Sequence, residues 1–241
     1  AIGEAFKQIR DGYCDRAIAG GSESMFQSGP VNGWEALRTL ALLDQDRPYA
    51  SCKPFSKNRT GFVIGEASAA LVLESYDAAK ARGANILAEI VGYGTTADAD
   101  HITKPNPKGQ SRAILNALMD ASLLPSEISY INAHGTATPV GDVAETEAIK
   151  LAFQEHASSL LISSTKAIHG HTFGAAGALE LIITIQAQMN GIAPPTAFLD
   201  EPDPECDLNY LPNQALEKPL KYAMSNSFAF GGANVAIITK V

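Results

Sequence analysis

The chain has 241 residues, 46% hydrophobic and 18% charged, enough apolar length for a large packed core and not the composition of a disordered chain. A net charge of -8 argues against nucleic acid or an anionic membrane as a partner. The three cysteines, Cys14, Cys52 and Cys206, are too few and too widely spaced for a disulfide framework or a zinc site, so a reducing, cytoplasmic compartment is expected.

Ala1, Ile2, Ala5, Phe6 and Ile9 share one helical face with no initiating Met before them, so the chain reads as opening inside a helix, which ends near Asp11-Gly12. A buried strand, Arg16–Gly20, follows. Residues 27–60 carry Pro30, Pro48 and Pro54 and read as a long excursion with a short helix near Trp34–Leu42. Ala69–Glu74 reads as a strand, Tyr76–Arg82 as a helix stopped by Gly83, and Ile86–Gly94 as a strand. Next come a helix at Ser111–Ser122, a strand at Ser129–Ala133 and a helix from about Val143 to Phe153. Asp142 followed by Glu145 has the spacing of a capping box at that helix start. Leu160–Ser163 is a strand, Phe173–Met189 a helix, and Tyr222–Lys240 two strands about a Gly-rich bend. The alternation favours an α/β fold with mainly parallel strands.

The Phe173–Met189 helix is apolar nearly all round, from Ala175 and Ala176 through Leu181, Ile182 and Ile185 to Ala187, so it is expected between two sheets with the opening helix as a neighbour. The longest apolar stretch, around Leu179 to Ala187, is far short of the roughly 18 residues of a membrane span. Gly65–Leu73 aligns with Gly231–Thr239 at three identical positions, Gly65, Ala67 and Ala70. Two ordinary buried strands after a glycine would give the same likeness. Read as a repeat, it divides the chain into 1–83 and 84–241, with the first half lacking about 80 residues.

Three segments carry chemistry. Asn132–Asp142 contains His134, Gly135, Thr136 and Thr138 where a strand gives way to a helix, the edge at which parallel sheets bind ligands. A capped turn with a structural histidine fits the same residues. Ser163–Gly177 places Lys166 and His171 at the opening of the apolar helix, whose free N–H groups favour negative charge. Lys166 needs a partner there, and Glu180 is the expected one, whether for catalysis or as a structural ion pair. Asn226–Asn234 is a Gly-rich bend around Phe230 whose free N–H groups suit an oxyanion site or an ordinary turn.

In that order, His-Gly-Thr-Ala-Thr (134–138), Lys-x4-His (166–171) and Phe-x-Phe-Gly-Gly (228–232) resemble the β-ketoacyl-[acyl carrier protein] synthase family, and within it the elongating synthases of type II fatty acid synthesis. Ala19–Glu23 and Gly61–Glu66 fit the same pattern, and the likeness spans essentially the whole chain. It implies a thiolase-like α-β-α-β-α layering of duplicated βαβαβ halves with the N-terminal half incomplete. It also implies decarboxylative Claisen condensation in fatty acid, polyketide or polyene synthesis. By resemblance, His134 and His171 hold the malonyl thioester carbonyl, and Lys166, linked to Glu180, tunes their electrostatics. Phe230 gates the acyl pocket beside the oxyanion hole, and Thr136 and Thr138 contact the phosphopantetheine arm. The implied partners are an acyl carrier protein, acyl and malonyl thioesters, and a second subunit, identical or homologous. No metal or dissociable cofactor is implied, since the carrier protein brings the pantetheine. A basic dock at Lys57 and Arg59 is expected for the acidic carrier.

The resemblance departs from its pattern where it matters. None of the three cysteines fits the family's nucleophile, which is expected upstream of Ala1. A non-catalytic chain-length-factor-like partner subunit is the alternative, and retention of His134, Lys166 and His171 favours the active enzyme. Ala229 stands where the family usually has glycine, which would stiffen the gate. His101, His156 and His169 match no catalytic position.

Overall fold

The computed structural model describes Ala1–Val241 throughout. The elements are α1 (Ile2–Arg10), β1 (Arg16–Glu23), α2 (Ser28–Ala36), β2 (Ala67–Glu74), α3 (Tyr76–Ala81), β3 (Glu89–Ala97), α4 (Pro107–Ala121), β4 (Tyr130–Asn132), α5 (Pro139–Phe153), β5 (Leu161–Ser163), α6 (Lys166–His169), α7 (Ala176–Asn190), β6 (Ile192–Ala193), β7 (Leu216–Glu217), β8 (Tyr222–Phe228) and β9 (Ala233–Lys240). The central sheet has order β3-β9-β8-β4-β5. It is mixed rather than mainly parallel: β8, β4 and β5 run parallel, while β9 is antiparallel to both β8 and β3. The β8–β9 hairpin closes through Gly231 and Gly232, both at positive φ, and this short turn forces the antiparallel step.

Burial explains the layers. One face of the sheet packs on α4 and α5 through Ile114, Leu118, Ile149, Phe153, Ile131 and Met224. The other receives α7, whose Leu181 and Ile185 form one cluster with Ile2 of α1, Ala19 of β1 and Ile237 of β9. The alternating residues Ala69, Leu71 and Leu73 of β2 pack on the same cluster, so α7 lies between the five-stranded sheet and the antiparallel β1–β2 pair. A helix apolar on nearly every side suits such a position, and only Gln186, Met189 and Asn190 near its C-terminus are exposed. Residues 1–83 and 84–241 therefore share a core. The aligned segments occupy β2 and β9, each the second strand of an antiparallel pair. Ile18 and Val72, paired in register, are exposed on the outer face of β1–β2.

Several boundaries differ from expectation for local reasons. α5 begins at Pro139, not Val143, because Thr138 accepts the Gly141 N–H as N-cap and proline suits the first helical position. The Asp142–Glu145 capping box is therefore not formed, and both carboxylates lie inside the helix. Helix α4 starts four residues early, at Pro107, where Asn106 accepts the Lys108 and Gly109 N–H groups. The excursion helix lies at Ser28–Ala36, N-terminal to its expected place, with Pro30 in its first turn where no N–H is missed. No helix is long and apolar enough to cross a membrane.

β3 meets α4 at close range. A Cβ on Gly94 would stand 2.0 Å from the Ala113 carbonyl oxygen and 2.5 Å from the Ala117 nitrogen, both backbone. Gly94→Ala is expected to destabilise by about 1–3 kcal/mol, read as a lowered denaturant midpoint. Gly29→Ala, with nothing within 4 Å of its Cβ, serves as the control. Equal midpoints for the two variants would contradict this packing.

Candidate active site

Two loops leave the same sheet edge side by side, because β4 and β5 pair in parallel register with Asn132 opposite Ser163. On the first loop, the His134 and Gly135 N–H groups donate to the two carboxylate oxygens of Glu145 at 2.9 and 2.7 Å. Asn226 Nδ2 donates to the same carboxylate at 3.3 Å. Burial raises the Glu145 carboxyl, while those backbone N–H groups and the Lys166 ammonium pull it back down. Gly135, at φ +29, has the Ser164 side chain and the Phe55 ring where a Cβ would sit, so glycine is required there.

On the second loop, the His171 N–H donates to the Val63 carbonyl at 2.7 Å and the His171 carbonyl accepts from the Gly65 N–H at 2.9 Å. This short β-bridge ties the histidine to the Phe62–Gly65 segment. The ring Nδ1 accepts from the Phe173 N–H at 3.2 Å, so a neutral His171 carries its proton on Nε2. His134 and His171 stand 5.4 Å apart between ring centroids, with their planes at 84°. Burial, then the nearby Lys166 ammonium, push both imidazoles well below the usual histidine range, so both are neutral N–H donors at pH 7.

Lys166 and Glu180 lie beneath the pair. Neither side chain has any exposure, and Lys166 Nζ donates to Glu180 Oε1. Burial pushes the Glu180 carboxyl up to about 7 against the pull of Lys166. Asn132 Nδ2 donates to the Glu180 carbonyl at 3.1 Å, joining β4 to α7 below the site.

Above the histidines opens a cavity of about 840 Å³. Its lining includes His134, His171, Thr136, Thr138 and Phe230. Lys166 and Glu180 do not reach it, so any effect they have on a bound molecule is electrostatic. Thr136 and Thr138 share a hydroxyl hydrogen bond at 3.0 Å. Phe230 is 44% exposed on the β8–β9 turn. There Ala229 donates its N–H to the Ala233 carbonyl and accepts from the Gly232 N–H.

The dock expected at Lys57 and Arg59 is corrected at its second residue. Lys57 is exposed, but the Arg59 side chain is only 3% exposed. Its guanidinium donates to the Thr138 carbonyl at 3.0 Å, the Pro139 carbonyl at 2.8 Å, the Ser56 carbonyl at 2.9 Å and the Asp203 carboxylate. Arg59 thus holds the threonine turn from behind and presents nothing to a docking protein. The exposed cations at the cavity mouth are Arg38 and Lys104. His101 lies in an exposed loop bonded to Thr103, His156 bonds Ser159, and His169 bonds Thr165 and the Gly170 carbonyl. None of the three lines the cavity. No cluster of three or more His, Cys, Asp or Glu is placed to hold a metal.

The sequence reading missed the aromatic side of the cavity. Phe173 stacks on His171 at 4.4 Å and 13°, and Trp34 stacks on Phe173 at 4.9 Å and 24°. Phe62 meets all three rings edge-on. Phe173 holds φ +42, a left-handed backbone that costs an aromatic residue about 1–3 kcal/mol. The donor bond to His171 and the ring stack hold it there.

The buried ion pair yields a stability test. Glu180→Leu alone leaves an ammonium without its anion and is expected to cost about 3–5 kcal/mol, whereas Lys166→Met with Glu180→Leu removes both charges and costs much less. Chemical denaturation of the two variants measures this, and equal losses would show that the pair is not an energetic unit.

The family profile described as "Beta-ketoacyl synthase, N-terminal domain" matches residues 1–79, and that described as "Beta-ketoacyl synthase, C-terminal domain" matches residues 87–200. The chain is 47% identical over 242 aligned positions to 3-oxoacyl-[acyl-carrier-protein] synthase 2 of Staphylococcus aureus (strain COL), covering 100% of this chain and 58% of that protein. Among solved structures, it superposes with TM-score 0.97 at 38% identity on a type II polyketide ketosynthase in complex with its acyl-carrier protein and bound to a hexaketide, covering 100% of this chain and 59% of that one. A β-ketoacyl synthase of Burkholderia phymatum STM815 superposes with TM-score 0.95 at 42% identity, over 100% and 58% of the two chains. The chain thus spans just under three-fifths of these relatives.

Proposed function

The chain belongs to the β-ketoacyl synthase family, and we propose that its cavity serves the condensation of an acyl thioester with malonyl-[acyl carrier protein] to a 3-oxoacyl-[acyl carrier protein]. The observation that carries this reading is the pair of neutral, perpendicular imidazoles, held by backbone bonds above a buried ammonium, at the wall of an acyl-sized cavity.

The chemistry follows from those donors. His171 Nε2–H and the His134 imidazole bind the malonyl thioester carbonyl oxygen. The bond to the malonyl carboxylate breaks, carbon dioxide leaves, and the electron pair flows onto that oxygen as an enolate stabilised by preorganised N–H groups. The enolate carbon then attacks the enzyme-bound acyl carbonyl, a carbon–carbon bond forms, and the enzyme thiolate departs. Burial, then Lys166, keeps both imidazoles neutral, and the ammonium raises the potential at the developing oxyanion from below. Covalent capture of the acyl group splits one hard step into two.

The nucleophilic thiolate is assigned to a residue outside this chain. Cys14 is exposed away from the cavity, and burial pushes the Cys52 and Cys206 thiols up to about 11. On this reading Thr136 and Thr138, which line the cavity, contact the pantetheine arm, and Phe230 gates the acyl pocket. An acyl carrier protein is the partner, docking near Lys57, Arg38 and Lys104, and the assembly is a cytoplasmic dimer without a dissociable cofactor. The intact His134, His171 and Lys166–Glu180 arrangement favours this reading over a non-catalytic partner subunit.

The decisive assay uses the full-length protein with its upstream residues. Acyl-carrier thioester should give a covalent acyl adduct by intact mass, and malonyl-carrier should then release a product two carbons longer. Folded protein that forms no adduct would overturn the synthase reading in favour of a partner subunit. Charge reversal at Arg38 and Lys104 is expected to raise the KM for carrier-bound substrate, with little change for a free pantetheine thioester. Equal KM values for the carrier substrate in parent and variant would remove these cations from the dock.

A further inference from the structure

We propose that Trp34 and Phe173 are specificity-determining residues, forming a fixed aromatic wall that selects flat, unsaturated acyl chains over saturated chains of equal length. The inference rests on the synthase reading above and names the substrate class of that same cavity.

Three rings form one column that ends at the reacting centre: Trp34 on Phe173 at 4.9 Å, and Phe173 on His171 at 4.4 Å. Phe62, 4% exposed, closes the back of the column, meeting Trp34, Phe173 and His171 at 5.5, 5.4 and 5.3 Å with interplanar angles near 80–85°. Trp34 and Phe173 are only half-buried, and both line the cavity. Phe230, 5.9 Å from Trp34, bounds the same space from the exposed turn.

The wall is hard to move. Each ring has two side-chain torsions, and all three column members are wedged by the same buried phenylalanine. Phe173 is held further by its left-handed backbone and its N–H bond to His171. A displaced Phe173 would release the imidazole, so the wall cannot yield to a bulky chain without disturbing the site. Trp34 is the chain's single tryptophan and presents its largest aromatic face.

An acyl group whose carbonyl lies beside the histidines extends along this surface. A conjugated chain is already planar, loses little conformational freedom against a fixed wall, and gains π-face contact with Trp34 and Phe173. A saturated chain of the same length gains burial but must freeze its torsions, and it has no π-face to stack.

The test uses the full-length protein and two carrier-bound thioesters of equal carbon count, octanoyl and octa-2,4,6-trienoyl, offered separately and in competition with malonyl-carrier present. Elongated products are quantified by mass spectrometry. The parent protein is expected to favour the trienoyl chain in kcat/KM by about tenfold, the worth of one good aromatic stack. Trp34→Leu should remove most of that preference through KM for the trienoyl substrate, and Trp34→Phe should restore part of it. Elongation of both chains at equal efficiency by the parent, or an unchanged ratio in Trp34→Leu, would overturn the inference while leaving the synthase reading intact. Elongation of neither chain would overturn the synthase reading and this inference with it.

Discussion

A lysine ammonium and a glutamate carboxylate, both without contact with water, face each other under two histidines. Taking two such charges out of water is expensive, and an ion pair this deep stands only while its geometry is kept. Much of the architecture keeps it. The uniformly apolar α7 brings Glu180 to its depth because that helix can lie only between the two sheets. The parallel register of β4 and β5 brings Lys166 to the same depth from the next loop. Asn132 then bonds the Glu180 main chain, so the strand bearing His134 and the helix bearing Glu180 are located against each other. Burial of the rings, and after it the positive field of Lys166, keep both imidazoles without a second proton, the state in which they can donate a hydrogen bond to an oxyanion.

A second set of buried charges shapes the loops rather than the chemistry. Glu145 and Asp142, one turn apart on α5, use their carboxylates as acceptors for main-chain N–H groups: His134 and Gly135 for the first, Phe55 for the second. Arg59 answers from the other side by donating to main-chain carbonyls at Thr138 and Pro139. The turn between His134 and Pro139 is thus fixed at both ends, by Glu145 at the cavity wall and by Arg59 behind it. Burial lifts the Asp142 carboxyl to about 7, opposed by Phe55 N–H and Arg59, so its hold depends on the arginine staying in place. Charged residues here act as scaffold, which a surface-charge reading of the sequence does not anticipate.

That contrast marks what the sequence made legible. Strand and helix existence followed from periodicity, and the all-round apolarity of residues 175–187 foretold a helix between sheets, because a pattern of that kind reports burial directly. The histidine and lysine motifs were legible because a strand end followed by glycine and a helix start is a local signal. Arg59 was not, because arginine's usual place is the surface and its four acceptors come from residues 56 to 203. Asp142 and Glu145 mimic a capping box in spacing, and only the Thr138-Pro139 pair, one turn earlier, shows that the helix has already begun. The aromatic column was invisible for the same reason of distance: Trp34, Phe62 and Phe173 are brought together by the β-bridge between Ile64 and His171, which no local pattern encodes.

The same bridge separates what is fixed in the cavity from what is free. His171 is tied through it to the Phe62–Gly65 segment by main-chain bonds, Phe173 follows two residues on, and Trp34 is stacked against Phe173, so one wall is continuous with the His171 imidazole. Phe230 sits across the space on a turn with two glycines at positive φ and nearly half its surface open. The Cβ of Ala229 adds stiffness at one end of that turn, yet the ring itself is wedged by nothing comparable to Phe62. On the proposed function, a ligand in this cavity meets one aromatic wall tied to His171 and, opposite it, an aromatic ring on an exposed turn. Selection by shape then lies with residues whose displacement would disturb the imidazole, so a chain that fits poorly meets a site less able to react.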